Sequence, residues 1–382
     1  MTAVALPIAP RPRPYELLSS WLARTAACYD VTASELRQIL CPGIRQTGAR
    51  PDVRWNRAEA SAAASRLRID TDVIMSLGLK RRWPKLAQNW LPSTDGTGRA
   101  RGDIDLAWCH LCLAEGHADG QAYLDAETAL PLIFCHRHRS WRQDFCRHCR
   151  PYHAPRFAWL GRIELVCSDC GVPLRANIWN GPRPATDSPP EQTSEAMDHL
   201  IAFDGEFRRA LLGRPACLPG VGRVAARQFL TVLRDLSQAL LAPDMFRSSR
   251  TNFFNSPLVP NMPDHEPRTW EERPFQELHP LQRAHVACAV IALLSNEQIS
   301  RLMSGSRPVH DWLSLEWLLN STPKWVQATL IRNSIDWPMP LRVRVEAHHS
   351  RTGMDAEDIL SQFRAWRAEL DHRESERVSL IG

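Results

Sequence analysis

Seven of the chain's 11 cysteines lie between Cys109 and Cys170, grouped at one repeated spacing. The order is Cys109-x2-Cys112, 22 residues, Cys135-x2-His138, seven residues, Cys146-x2-Cys149, 17 residues, Cys167-x2-Cys170. Two donors separated by two residues share one tight turn, so both can face a single ion. A second such turn, brought back by a strand or loop, completes a tetrahedron. The stretch from Cys146 to Cys170 fits a four-cysteine zinc pattern directly. Eight donors make two sites. The seven-residue gap after His138 lets the first close before the second begins, which predicts sequential pairing: Cys109, Cys112, Cys135 and His138 on one Zn2+, and Cys146, Cys149, Cys167 and Cys170 on another. His136 is a rival to His138, but Cys135-x2-His138 repeats the spacing of the other pairs. Four protein ligands leave no open position, so both zinc ions are expected to be structural.

This pattern argues against other uses of cysteine. Pairs this close suit a metal better than disulfides. Met1 to Pro14 carries Pro7, Pro10, Pro12 and Pro14 without a basic leading region, so it reads as an arm rather than a signal peptide. The expected location is cytoplasmic. A RING-type ubiquitin ligase shares the ligand order but interleaves its sites and keeps the second and third pairs much closer together. A zinc deaminase needs His-x-Glu ahead of Pro-Cys-x2-Cys, and that pair is absent. Cys28, Cys41, Cys217 and Cys288 are scattered and read as small core residues.

Two further classes fall away. The three lysines, Lys80, Lys85 and Lys324, never follow glycine, so there is no Walker A loop and no P-loop ATPase. The longest purely apolar run, Val286 to Leu294, is far short of the roughly 20 residues that span a bilayer. No membrane association is expected. The formal net charge of +5 is too small to indicate nucleic acid alone. The basic residues are nevertheless almost all arginine, whose planar fork pairs phosphate or carboxylate.

Around the cysteines the patterning is helical, which predicts a mainly α fold. Residues 14–90 form an N-terminal helix-turn-helix-like region. Leu17, Leu18, Trp21 and Leu22 share one face, Asp30-Val31 breaks that helix, and a Thr32–Glu35 capping box opens a second with Leu36, Ile39 and Leu40 inward. An Ala-rich helix from Glu59 to Leu67 follows. Then comes a helix capped by Asp70 that runs through Val73, Ile74 and Leu77 to Lys80-Arg81-Arg82. Residues 104–180 form the tandem zinc-ribbon or zinc-finger module, and 181–194 a proline-rich linker. Residues 195–382 form a C-terminal α-helical domain, with Leu281 to Leu294 apolar nearly all round and hence buried. Helices are expected at Glu195–Leu212, Arg223–Leu241, Val309–Leu319, after Thr322-Pro323, and over Ile359–Leu370. The tryptophans read as core, and the apolar helices of this half suggest a homodimer.

The opening Pro14-Tyr15-Glu16-Leu17-Leu18-Ser19-Ser20-Trp21-Leu22-Ala23-Arg24 resembles the start of the TniQ family of transposition proteins. So do Trp108-Cys109-x2-Cys112-Leu113-Ala114-Glu115, Leu130-Pro131-Leu132 and the Cys135-x2-His138 knuckle, over roughly residues 14 to 172. His136 stands where that family usually has Pro. The resemblance implies a non-catalytic target-selection adaptor of a transposon. Such a protein binds a target DNA site or an RNA-guided, Cascade-type complex and recruits an AAA+ ATPase regulator and transposase. The alternative is a zinc-finger or helix-turn-helix DNA-binding regulator. Between the knuckles, Arg137, Arg139, Arg142, Arg147 and Arg150 are opposed only by Asp144, an expected nucleic-acid or partner contact.

Overall fold

The computed structural model describes residues 6–42, 51–91, 106–120, 122–149, 155–176, 190–242, 258–259, 274–304, 313–353, 355–365 and 368. Helices dominate, with two small antiparallel hairpins: β1 (Arg156–Trp159) with β2 (Ile163–Val166), and β3 (Ala216–Leu218) with β4 (Gly222–Val224).

The N-terminal helices close a small core of their own. The helix Leu18–Ala27 buries Leu18, Trp21 and Leu22 and stops before Asp30, whose φ is +54°. Thr32 and Glu35 form the expected reciprocal cap on Ala33–Leu40. Leu36 and Leu40 of that helix are buried, but Ile39 is exposed, contrary to the expected pattern. Asn56 and Glu59 cap Arg57–Leu67, whose Ala60, Ala63 and Ala64 bring neighbouring helices close. The expected long helix after Asp70 is two pieces, Thr71–Ser76 and Leu79–Arg82, broken at Leu77-Gly78. Its Val73 is also exposed.

Extended residues 6–14 lie over this core. Leu6 N–H donates to Arg66 O at 2.9 Å, and Trp21 Nε1–H to Pro10 O at 2.7 Å. Beneath them Glu16, Ser20 and Arg24 stand four residues apart on one face. Arg24 grips the Glu16 carboxylate through Nε (2.6 Å) and Nη2 (2.8 Å), while Ser20 Oγ–H (3.0 Å) and Arg13 N–H (2.8 Å) donate to it as well. The Glu-x3-Ser-x3-Arg pattern of the opening motif is therefore one buried ionic network.

Leu79, Trp83, Ala87 and Trp90 leave that core and join a larger one shared by the cysteine module and the C-terminal helices. The expected unit 14–90 thus straddles two cores. Trp90 packs edge-on to Phe207 and Phe275, with ring centroids 5.1 and 6.0 Å away. The central element is Pro280–Leu294, buried on every face, its polar Gln282, Arg283 and His285 included. Packed against it are Pro190–Leu211, Ala226–Leu240, Glu297–Ser304 and Leu315–Ser321. Pro190–Leu211 begins inside the expected 181–194 linker; the rest of that linker lies outside the described residues.

Other boundaries also move. Arg223 belongs to β4 rather than to a helix start. The β3–β4 turn presses on the end of the central helix: a Cβ on Gly220 would sit 1.9 Å from Leu294 O, and its φ is +66°. The helix after Pro323 is Lys324–Asn333. Met339–Thr352 is a further helix that the sequence pattern did not announce. Its buried face is only Leu341, Val345 and His348. Residues 356–365 are helical, and Phe363 stacks on Trp325 at 4.4 Å; Trp366 and Leu370 lie outside the described residues.

Candidate metal centres and the surface around them

In the first cluster Cys109 caps the helix His110–Ala118 and Cys112 lies in its first turn, so both sulfurs leave the same end of that helix. The partner pair comes from a hairpin closed by the Phe134–Trp141 bridge. Within it Cys135 N–H donates to Ser140 O at 2.8 Å and Arg139 N–H to Cys135 O at 2.7 Å. The second cluster repeats this device. Strand β2 runs directly into Cys167, the Val166–Pro173 bridge closes the loop, and Gly171 N–H donates to Cys167 O at 3.1 Å. Both loops need a left-handed residue four positions after their first cysteine. Gly171 supplies it at φ +71°, whereas Arg139 is held at φ +50°.

These loops gather Cys109, Cys112, Cys135 and His138 in one group and Cys146, Cys149, Cys167 and Cys170 in another, with all donor atoms of a group within 4.8 Å of one another. Cys112 Sγ lies 3.6 Å from Cys135 Sγ and 3.4 Å from His138 Nδ1. In the second group Cys146 and Cys170 are 3.7 Å apart, and Cys149 and Cys167 3.4 Å. A tetrahedron with Zn–S bonds of about 2.3 Å has edges of roughly 3.8 Å, so donor chemistry and spacing both fit one metal ion per group. All eleven cysteines are free thiols. Hydrogen bonds from Cys112 and Cys135 hold the Cys109 thiol far below its usual range, and those shared with Cys109 and Cys135 push the Cys112 thiol far above it.

A carboxylate stands behind the first group. His138 directs Nδ1 at the sulfurs while Nε2 meets Glu115 Oε1 at 2.8 Å, and Arg137 Nη2 holds the other oxygen at 2.7 Å. This fixes the tautomer: Nε2 carries the proton and Nδ1 keeps its lone pair for metal. In the linear sequence Glu115 stands out only as the last residue of the Cys109-x2-Cys112-Leu113-Ala114-Glu115 motif. Its place one helical turn after Cys112 was the available signal of this role.

Polar contacts tie the module to the C-terminal helices. Asp204, fully buried, accepts from Ile133 N–H (2.9 Å) and Phe134 N–H (3.0 Å) just ahead of Cys135. Burial pushes its carboxyl up to about 6. Glu127 receives Arg208 through two nitrogens at 2.6 and 2.9 Å, and also His136 at 2.6 Å and Arg142 at 3.4 Å. Asp144 pairs with His279 at the start of the central helix. None of these long-range partners shows in linear spacing.

The arginine run divides. Arg142 is buried at 3% exposure and donates to Phe134 O and Ala107 O, so it is a structural brace rather than a surface contact. Arg137 and Arg139 are exposed, paired with Glu115 and Asp198 respectively. Arg147 is exposed, and Arg150 lies outside the described residues.

Residues 7–154 match the TniQ family model. That region takes in the N-terminal helices, the whole first metal group and Cys146 and Cys149 of the second. No curated protein matches the chain. Over residues 7–154, less than half of its length, the chain is similar to the TniQ family.

Proposed function

We propose that this protein is a non-catalytic target-selection adaptor of transposition, holding a nucleic-acid target or an RNA-guided DNA-targeting complex on one side and an AAA+ ATPase regulator on the other. The observation that carries this reading is the TniQ match over residues 7–154. Each donor group takes one structural Zn2+, because three or four thiolates at tetrahedral spacing suit zinc and leave no position for substrate. When bound, zinc supplies folding energy. The protein's own residues do the rest: Glu115 orients His138, and Glu127, Asp204 and Asp144 hold the metal module on the helical body. Arg137, Arg139 and Arg147 form the basic side of the module and position phosphate or an acidic partner without reading sequence.

No helix among the described residues is long and apolar enough to cross a membrane. We place the protein in the cytoplasm and as a homodimer. Light scattering that returns a single 43.4 kDa particle refutes the dimer. Reconstitution tests the adaptor role. Insertion by the purified transposase and ATPase regulator should become target-directed only when this chain is added, and the chain alone should neither hydrolyse ATP nor cut DNA. Unchanged insertion sites on its omission, or strand cleavage by the chain itself, overturns the reading.

A further inference from the structure

Of the tryptophans described, Trp159 alone is exposed; the others are buried or half-buried. It stands at 60% exposure at the end of β1, followed by Leu160 at 53%. The hairpin tip is well defined. Leu160 N–H donates to Arg162 O at 2.9 Å, and Gly161 takes the turn at φ +74° with open space around it. Its root is anchored, since all of β2 is buried and continues into Cys167. A large ring held out on a rigid support forgoes the gain of burial, which points to a ligand that covers it.

The charge around the ring limits what that ligand can be. Arg156 and Arg162 are both exposed, and residues 155–162 contain no acid. Arg162 uses Nη1 on His117 O at 3.3 Å, and Arg156 has no ion pair among the described residues. Glu164, the next carboxylate, is buried and engaged by Arg175 and His117. The tip therefore offers one aromatic face, one aliphatic side chain and two cations. This suits a polyanion carrying flat apolar surfaces: stacking on an aromatic face tolerates any base, while guanidiniums take the phosphates. A duplex keeps its bases stacked on each other, whereas an unpaired strand leaves them open to the ring.

We propose that the β1–β2 tip binds an unpaired stretch of nucleic acid, with Trp159 stacking on a base, Leu160 packed beside it, and Arg156 and Arg162 on the flanking phosphates. This deepens the adaptor reading above and rests on it.

The test uses the full zinc-loaded chain and fluorescence anisotropy with labelled oligothymidylate, oligouridylate and a duplex of equal length. The two single strands separate DNA from RNA. Trp159→Ala should weaken single-strand binding by about 5- to 100-fold, the range of one lost base stack, and Trp159→Phe should recover most of it. Duplex binding should change far less. Arg156→Ala and Arg162→Ala should each reduce the single-strand salt slope by about 0.7. Zinc content and melting temperature of Trp159→Ala should match the parent, because the ring supports little of the fold. The proposal fails if the parent does not bind either single strand, if Trp159→Ala binds as the parent does, or if it weakens duplex and single strand alike. It also fails if Trp159→Ala keeps oligonucleotide affinity but loses the purified ATPase regulator, since the tip is then a protein contact. In each of these cases target-directed insertion by the parent leaves the adaptor reading standing; loss of that reading requires the reconstitution itself to fail.

Discussion

Removing Arg24 should be among the most damaging single changes in the N-terminal region. Both Arg24 and Glu16 side chains are wholly buried. The Glu16 carboxylate receives four donors, two of them from Arg24. Arg24→Ala takes away the counter-charge and both donors, yet the carboxylate stays in a site that water does not reach. Breaking a buried pair in this way costs about 3–5 kcal/mol. At roughly 2–4 °C per kcal/mol for a domain of this size, melting should fall by about 6–20 °C. An exposed helical pair supplies the control: Arg342 and Glu346 meet at 2.6 Å in solvent, and Arg342→Ala should cost only about 0.3–0.5 kcal/mol. The double change Glu16→Leu with Arg24→Met should recover much of the loss, because neither charge then remains to be desolvated. The assay is urea unfolding of the zinc-loaded protein with hydrogen exchange followed in Leu18–Ala27. If Arg24→Ala costs no more than Arg342→Ala, the argument from burial is wrong. If the double variant is worse than Arg24→Ala, packing rather than charge holds this site.

The metal groups give two further outcomes. Cys149→Ser should leave one zinc per chain of two by elemental analysis and loosen the hairpin that continues into Cys167. Glu115→Ala should weaken zinc binding by about 10-fold or more in a competing-chelator titration, and an unchanged affinity rejects its orienting role. The two loops make opposite predictions about glycine. Arg139→Gly should stabilise by about 0.5–1 kcal/mol, since its exposed pair with Asp198 contributes little, whereas Gly171→Ala should destabilise by about 1 kcal/mol or more in chemical denaturation. Asp204 carries a pH signature. Its folded pKa of about 6 lies above the ordinary 3.8, so the native state binds the extra proton, and this carboxyl's contribution is present below pH 4 and lost as pH rises through 6. Asp204→Asn should therefore show less of this decline than the parent between pH 4 and 6; an identical difference across that range refutes the assignment. Gly220→Ala should cost several kcal/mol, because backbone at Leu294 occupies the space its Cβ needs.

What the linear sequence determined about this protein is what short-range covalent geometry controls. A Cys-x2-Cys or Cys-x2-His spacing already places two donors on one turn, so the two donor groups were legible without a fold. The reciprocal caps at Thr32–Glu35 and the unbroken apolar run into Leu294 were legible for the same reason, since each is satisfied within a few residues. Long-range packing alone decided the rest. Arg142 looked like its neighbours in a basic run until Phe134, Ala107 and Glu127 enclosed it. Leu79 and Trp90 read as the end of one unit but supply side chains to the core of another, because Phe207 and Phe275 arrive from more than a hundred residues away. The left-handed turn at Arg139 was hidden because the residue type argues against it, and only the loop's closure imposes it. Trp159 looked like core by composition. It is exposed at the end of β1, beside the open turn at Gly161, and exposure belongs to the assembled surface rather than to the residue.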